Sequence, residues 1–138
     1  MPNAFIDTNI LVYAADETTP IPRKTRIARE LLLLPDLYIS IQVLNEFIAV
    51  ARRPNKLNLS HEQEQSWMEA WLLQTVVELT TQQFLDALAF HERYQVSHWD
   101  GLILAAAKEV QCEILYSEDL QIGQSYDGIQ VINPFAQP

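Results

Sequence analysis

Cysteine is almost missing from this chain. Cys112 stands alone among 138 residues, which excludes an intramolecular disulfide and a thiolate metal cluster. No apolar stretch approaches the ~20 residues of a membrane-spanning helix. The first residues carry neither the basic nor the apolar region of a secretory signal. These absences together predict a cytoplasmic protein with no membrane partner. Basic side chains are also scarce, 9 against 18 acidic ones, for a formal net charge of −9. Taken alone that balance argues against a nucleic-acid partner, whose phosphates need lysine and arginine. Two features counter it. The bases are clustered, as Arg23, Lys24, Arg26 and Arg29 in one segment and Arg52, Arg53 and Lys56 in another. Carboxylates that hold divalent cations are neutralised by them, so formal charge misstates the field at such a site.

Missing too are a Gly-x-Ser-x-Gly elbow, a phosphate-binding P-loop and any ligand spacing among His61, His91 and His98. With no repeat, linker or low-complexity stretch, residues 1–138 read as a single domain.

What is present is an apolar run that ends abruptly in acid. Ala4-Phe5-Ile6 is too short for a helix and reads as a buried strand, and Asp7-Thr8-Asn9 follows at once. Ile10 to Ala15 then opens a helix that Thr8 or Asn9 can cap. Arg23 to Leu34 has helical spacing with Ile27, Leu31 and Leu34 on one face. Its bases crowd the early turns, the wrong end for the helix dipole. They are either a solvated face or a contact surface for phosphates or for an acidic partner.

Leu37 to Ser40 reads as a second strand, and Ser40 can cap a helix from Ile41 to about Arg53. Val43, Leu44, Phe47, Val50 and Ala51 form its apolar arc, with Glu46 at the margin. Ser60 and Gln63 make a capping box for a helix running to about Leu73. Val76 to Thr80 is a plausible third strand. Thr81 to Tyr94 is helical, with Phe84, Leu85, Leu88 and Ala89 expected inside. Ser97 to Ala107 starts a helix apolar around most of its circumference, with Asp100 inside that arc. A carboxylate aimed at a core is costly unless its charge is compensated. Alternatively, Asp100 caps the free N–H groups near Ser97. His98 lies close enough to Asp100 to be near a site, and reads more simply as structural. Glu113 to Ser117 is another strand, again ending in acid at Glu118-Asp119. Ile129 to Asn133 is the last strand. Strands alternating with helices predict an α/β fold, a parallel sheet covered on both faces.

Asp7 and Asp119 therefore follow strands, Glu46 lies early in a helix after a strand, and Asp100 starts a buried helix. In a parallel sheet all four fall at one rim, where ligands collect. Singly, each has a simpler reading as cap, turn or surface residue. Together they would repel strongly unless cations joined them. Oxygen ligands without cysteine select Mg²⁺ or Mn²⁺. Such ions activate water and stabilise charge on a phosphodiester, so no other nucleophile is required.

The same residues resemble a known family. Ile6-Asp7-Thr8-Asn9-Ile10-Leu11 is similar to the opening signature of PIN-domain nucleases. Ser40 to Phe47, with Glu46, resembles their second motif, and Trp99 to Ala107, with Asp100, the third. Tyr116-Ser117-Glu118-Asp119-Leu120 looks like the fourth, with Ser117 at its hydroxyl position. The four lie in register over the whole chain, and the size is closest to VapC-like toxins of type II toxin–antitoxin modules. The resemblance implies a three-layer α/β/α sandwich with strand order 3-2-1-4-5. It implies a Mg²⁺- or Mn²⁺-dependent endoribonuclease, a homodimer, and a VapB-like antitoxin that covers the site. Asp7, Glu46, Asp100 and Asp119 would be the catalytic metal ligands. Asn9 and Ser117 would orient them, with Glu118 as an auxiliary, and Arg52, Arg53 and the Arg23–Arg29 cluster would contact the RNA phosphates. Gly101 stands where the family often has alanine, a departure expected to matter little.

Other classes fit less well. A phosphatase would carry Asp-x-Asp after its first strand, where this chain has Asp7-Thr8-Asn9. A receiver domain would add an acidic pair and a prominent later lysine. A non-catalytic PIN interaction module would have lost acids that remain here. An RNA-processing PIN nuclease outside a toxin system is the nearer alternative.

Overall fold

The computed structural model describes residues 3–121 and 123–136. The chain runs β1 (Ala4–Ile6), α1 (Thr8–Ala14), α2 (Arg23–Leu31), β2 (Leu37–Ser40), α3 (Ile41–Ala51) and α4 (His61–Trp71). It continues through β3 (Thr75–Val77), α5 (Thr81–Tyr94), α6 (His98–Glu109), β4 (Ile114–Tyr116), β5 (Ser125–Tyr126) and β6 (Ile129–Ile132). The sheet order is β3-β2-β1-β4-β6-β5. Strands β1, β2, β3, β4 and β6 pair in parallel and follow the order expected of the five strands. β1 is fully buried, as a central strand covered by helices on both sides must be. No helix among the described residues is long and apolar enough to cross a membrane.

One strand goes beyond the expectation. β5 pairs antiparallel with β6 through Asp127 and Gly128, both at positive φ. That two-residue connection suits a tight hairpin, and the Asp-Gly pair between Tyr126 and Ile129 is its sequence signal.

Several local expectations need correction. Asp7, and neither Thr8 nor Asn9, caps α1: its carboxylate accepts from the Thr8 N–H at 2.7 Å. α2 stops at Leu31, leaving Leu33 and Leu34 exposed. β3 stops at Val77, because Thr80 turns to cap α5. Ser40 caps α3 as expected, and Ser60 and Gln63 form the expected box on α4.

The largest correction concerns α5. Phe84, Leu85, Leu88 and Ala89 are exposed, while Gln83, Ala87 and Phe90 are buried. The helix is rotated because its small-residue stripe meets α6 at close range. A Cβ added at Gly101 would lie 2.8 Å from the Ala87 carbonyl oxygen. Gln83 tolerates burial because its amide donates to the Glu78 carbonyl at 2.6 Å and to Glu109 at 2.7 Å. Gly101 therefore matters more than expected: it sets the approach of the helix that carries Asp100.

Candidate active site

The sheet order reverses between β1 and β4, and both strands end at the same rim. There the Asp7 N–H donates to the Tyr116 carbonyl at 3.0 Å. Such a switch point leaves a crevice beyond the strand ends, between helices that depart to opposite sides. Asp7 lies directly after β1 at this rim, 3% exposed. The Ser117 hydroxyl donates to its Oδ2 at 2.6 Å. The same oxygen of Ser117 accepts the Asp119 N–H at 3.1 Å, and Asn9 Nδ2 donates to Asp119 Oδ2 at 2.9 Å. Ser117 and Asn9 thus tie the end of β1 to the loop after β4.

Glu46 approaches from α3. Thr8 Oγ1 donates to its Oε2 at 2.9 Å, and Gln42 Nε2 to its Oε1 at 2.7 Å. Neither donor was read from sequence as a partner of Glu46. Thr8 was read as a candidate helix cap and not as a partner of Glu46. Gln42 had one signal, its position one helical turn before Glu46. Asp100 lies in the first turn of α6, half-buried, and Ser97 is the cap: its hydroxyl accepts the Asp100 N–H at 3.1 Å. His98, beside it, packs edge-on against Phe84 and Trp99.

The acids feel one another. Burial raises Asp7 to about 7; the Ser117 hydroxyl and Thr8 N–H oppose the rise, and the charges of Asp119 and Asp100 add to it. Burial also raises Asp100; the Ser97 hydroxyl works against this, and Asp119 and Glu46 reinforce it. Glu46 and Asp119 line an open cavity of ≈ 550 Å³ with Thr8, Asn9, Arg53 and Lys56. Its lining carries acidic and basic side chains together.

Two other candidates are engaged elsewhere. Glu118 bonds to Lys24 at 2.6 Å and to the Tyr13 hydroxyl. Burial alone would raise its carboxyl; Lys24 and Tyr13 outweigh that and hold it below its ordinary value. Arg52 donates to Glu64 at 2.6 Å. Most of the earlier basic cluster also serves the fold. Arg23 holds the Phe135 carbonyl, and Arg29 holds those of Ala14 and Asp16.

Among the described residues, no three His, Cys, Asp or Glu side chains stand close enough to hold one ion together. The donor chemistry nonetheless fits a hard divalent cation. Asp7, Glu46, Asp100 and Asp119 form no salt bridge among the described residues. Asn9 Oδ1 is buried without a hydrogen-bond partner. Mg²⁺ typically takes one or two carboxylates and keeps several waters, so it does not need a closed cage.

The family model described as the PIN domain matches residues 4–125. Solved structures share the fold. A toxin–antitoxin complex from Klebsiella pneumoniae is similar at TM-score 0.74 and 22% identity, over 96% of this chain and 98% of that one. VapC20 of Mycobacterium tuberculosis, described as a sarcin–ricin loop cleaving toxin, is similar at 0.69 and 18%, over 85% and 90%. DNA-bound VapBC from Salmonella typhimurium is similar at 0.69 and 19%, over 97% and 99%. No curated protein matches by sequence.

Proposed function

The chain belongs to the PIN-domain family, and we propose that it is a divalent-metal-dependent endoribonuclease acting as the toxin of a toxin–antitoxin pair. The observation that carries this reading is the switch-point crevice, where Glu46 and Asp119 line a cavity with Arg53 and Lys56 and the charges of Asp7, Asp100, Asp119 and Glu46 act on one another. The toxins of like fold, one of them cleaving the sarcin–ricin loop, support RNA as substrate and an antitoxin as partner.

In this mechanism Asp7, Glu46, Asp100 and Asp119 are the residues that would hold Mg²⁺ or Mn²⁺. The ion supplies Lewis-acid activation of water and charge compensation at the phosphate. The protein's own groups do the rest. Ser117 fixes the rotamer of Asp7 and the backbone of Asp119. Asn9 fixes the Asp119 carboxylate, while Thr8 and Gln42 hold one oxygen each of Glu46. Orienting groups of this kind hold ligands at the productive angle. Arg53 and Lys56 seat the RNA backbone across the cavity. The exposed apolar face of α5, with Phe84, Leu85 and Leu88, supports a homodimer. The protein works in the cytoplasm, where RNA and antitoxin meet it.

The test is Asp100→Asn, which keeps shape and removes charge. It abolishes metal-dependent RNA cleavage while leaving the thermal unfolding transition cooperative. Full activity in that variant, or in EDTA, would rule the mechanism out.

A further inference from the structure

Gln42 is almost fully buried, at 6% exposure, one turn before Glu46 on α3. Its carboxamide nitrogen donates twice, to Glu46 Oε1 at 2.7 Å and to the Trp99 carbonyl at 3.0 Å. Both partners are acceptors, so only the NH₂ group can face them and the amide orientation is unambiguous. Its own oxygen is left buried without a partner. A buried amide that leaves its acceptor unmet in order to make two donations is serving geometry rather than stability.

The two contacts belong to different helices. Glu46 is on α3, and Trp99 directly precedes Asp100 on α6. One rigid amide therefore links the two helices that carry Glu46 and Asp100. It does so without a charge. A lysine here would neutralise Glu46 and compete with a cation, whereas an amide donor leaves the carboxylate anionic.

We propose that Gln42 is a positioning residue that sets Glu46 against Asp100 and so determines how tightly the site takes a divalent cation. The proposal rests on the metal-dependent reading above and names a determinant of that metal's affinity. Gln42→Leu removes both donors at similar volume, and Gln42→Met does so with an unbranched chain that can follow the same path.

Mn²⁺ binding to the full chain, without RNA, is measured by electron paramagnetic resonance. RNA cleavage is measured across a Mg²⁺ titration. Loss of an orienting partner weakens metal binding about 10- to 100-fold. The expected result is that weakening in both variants, with the Mg²⁺ titration displaced by the same factor and most of kcat recovered at saturating metal. Unchanged Mn²⁺ affinity in a folded variant overturns the proposal. Failure of both variants to show a cooperative unfolding transition also overturns it, since a purely structural link would do that. If the native chain itself neither binds Mn²⁺ nor cleaves RNA, the nuclease reading fails and this inference falls with it. If the native chain does both and the variants bind equally well, only the role of Gln42 is refuted.

Discussion

The Ser117 hydroxyl sits 2.6 Å from Asp7 Oδ2, a contact wholly inside the protein between residues 110 apart in the chain. It joins the first strand end to the fourth, and the same oxygen takes the Asp119 N–H. Ser117→Ala leaves a buried carboxylate oxygen without its donor, which costs about 1–3 kcal/mol. Because that hydroxyl opposes the rise of the Asp7 pKa, its loss moves the carboxyl further up from about 7. Mn²⁺ binding at neutral pH should weaken and recover at higher pH. Denaturant unfolding and binding at two pH values check the two effects.

Asp7 itself should destabilise the metal-free protein. Its folded pKa, about 7, lies above the ordinary 3.8, so the native state holds a proton that the unfolded chain has released. Stability contributed by the neutral form is present below the ordinary value and is lost as pH rises toward 7. Asp7→Asn, in EDTA at pH 8, should therefore be more stable than the native protein, by on the order of 2–4 kcal/mol. The difference should vanish near pH 4. Mg²⁺ should raise the melting temperature of the native chain and leave that of the variant unchanged.

Arg53 and Arg52 are neighbours in sequence with different neighbours in space. Arg53 lines the cavity with Lys56, whereas Arg52 is bound to Glu64. Arg53→Ala and Lys56→Ala should each weaken RNA binding and flatten its salt dependence by about one unit of slope. Arg52→Ala should leave both unchanged. Filter binding to a non-cleaved RNA at several salt concentrations separates the three.

Gly101→Ala, which family resemblance would treat as harmless, places a methyl 2.8 Å from the Ala87 oxygen. Overpacking of this kind costs about 1–3 kcal/mol, partly offset by roughly 1 kcal/mol of helix propensity. A net loss of about 1 kcal/mol is expected, visible as a lower melting temperature. Displacement of α6 should also lower activity through Asp100.

Much of the site was legible because its signals are local. A short apolar run ending in acid marks a strand end, as at Asp7 and Asp119. Ser40 and Ser60 announced the helices they cap, and Ser97 stands just before the helix it caps. What escaped depends on partners remote in sequence. α5 carries two candidate stripes, and periodicity selected the one with Phe84, Leu85 and Leu88 because it is the more apolar. The helix instead buries Gln83, Ala87 and Phe90. Only the contact with Gly101 and the partners of Gln83 decide this, and neither is visible within the helix. Glu118 adjoins Asp119 in sequence, yet it pairs with Lys24 on α2 and is not among the residues lining the cavity.

The tie between Asn9 and Asp119 crosses 110 residues of chain. A polypeptide still emerging from the ribosome carries Asp7, Asn9 and Glu46 long before Asp119 exists to complete them. On a growing chain the crevice therefore stays incomplete until the segment carrying Asp119 has emerged.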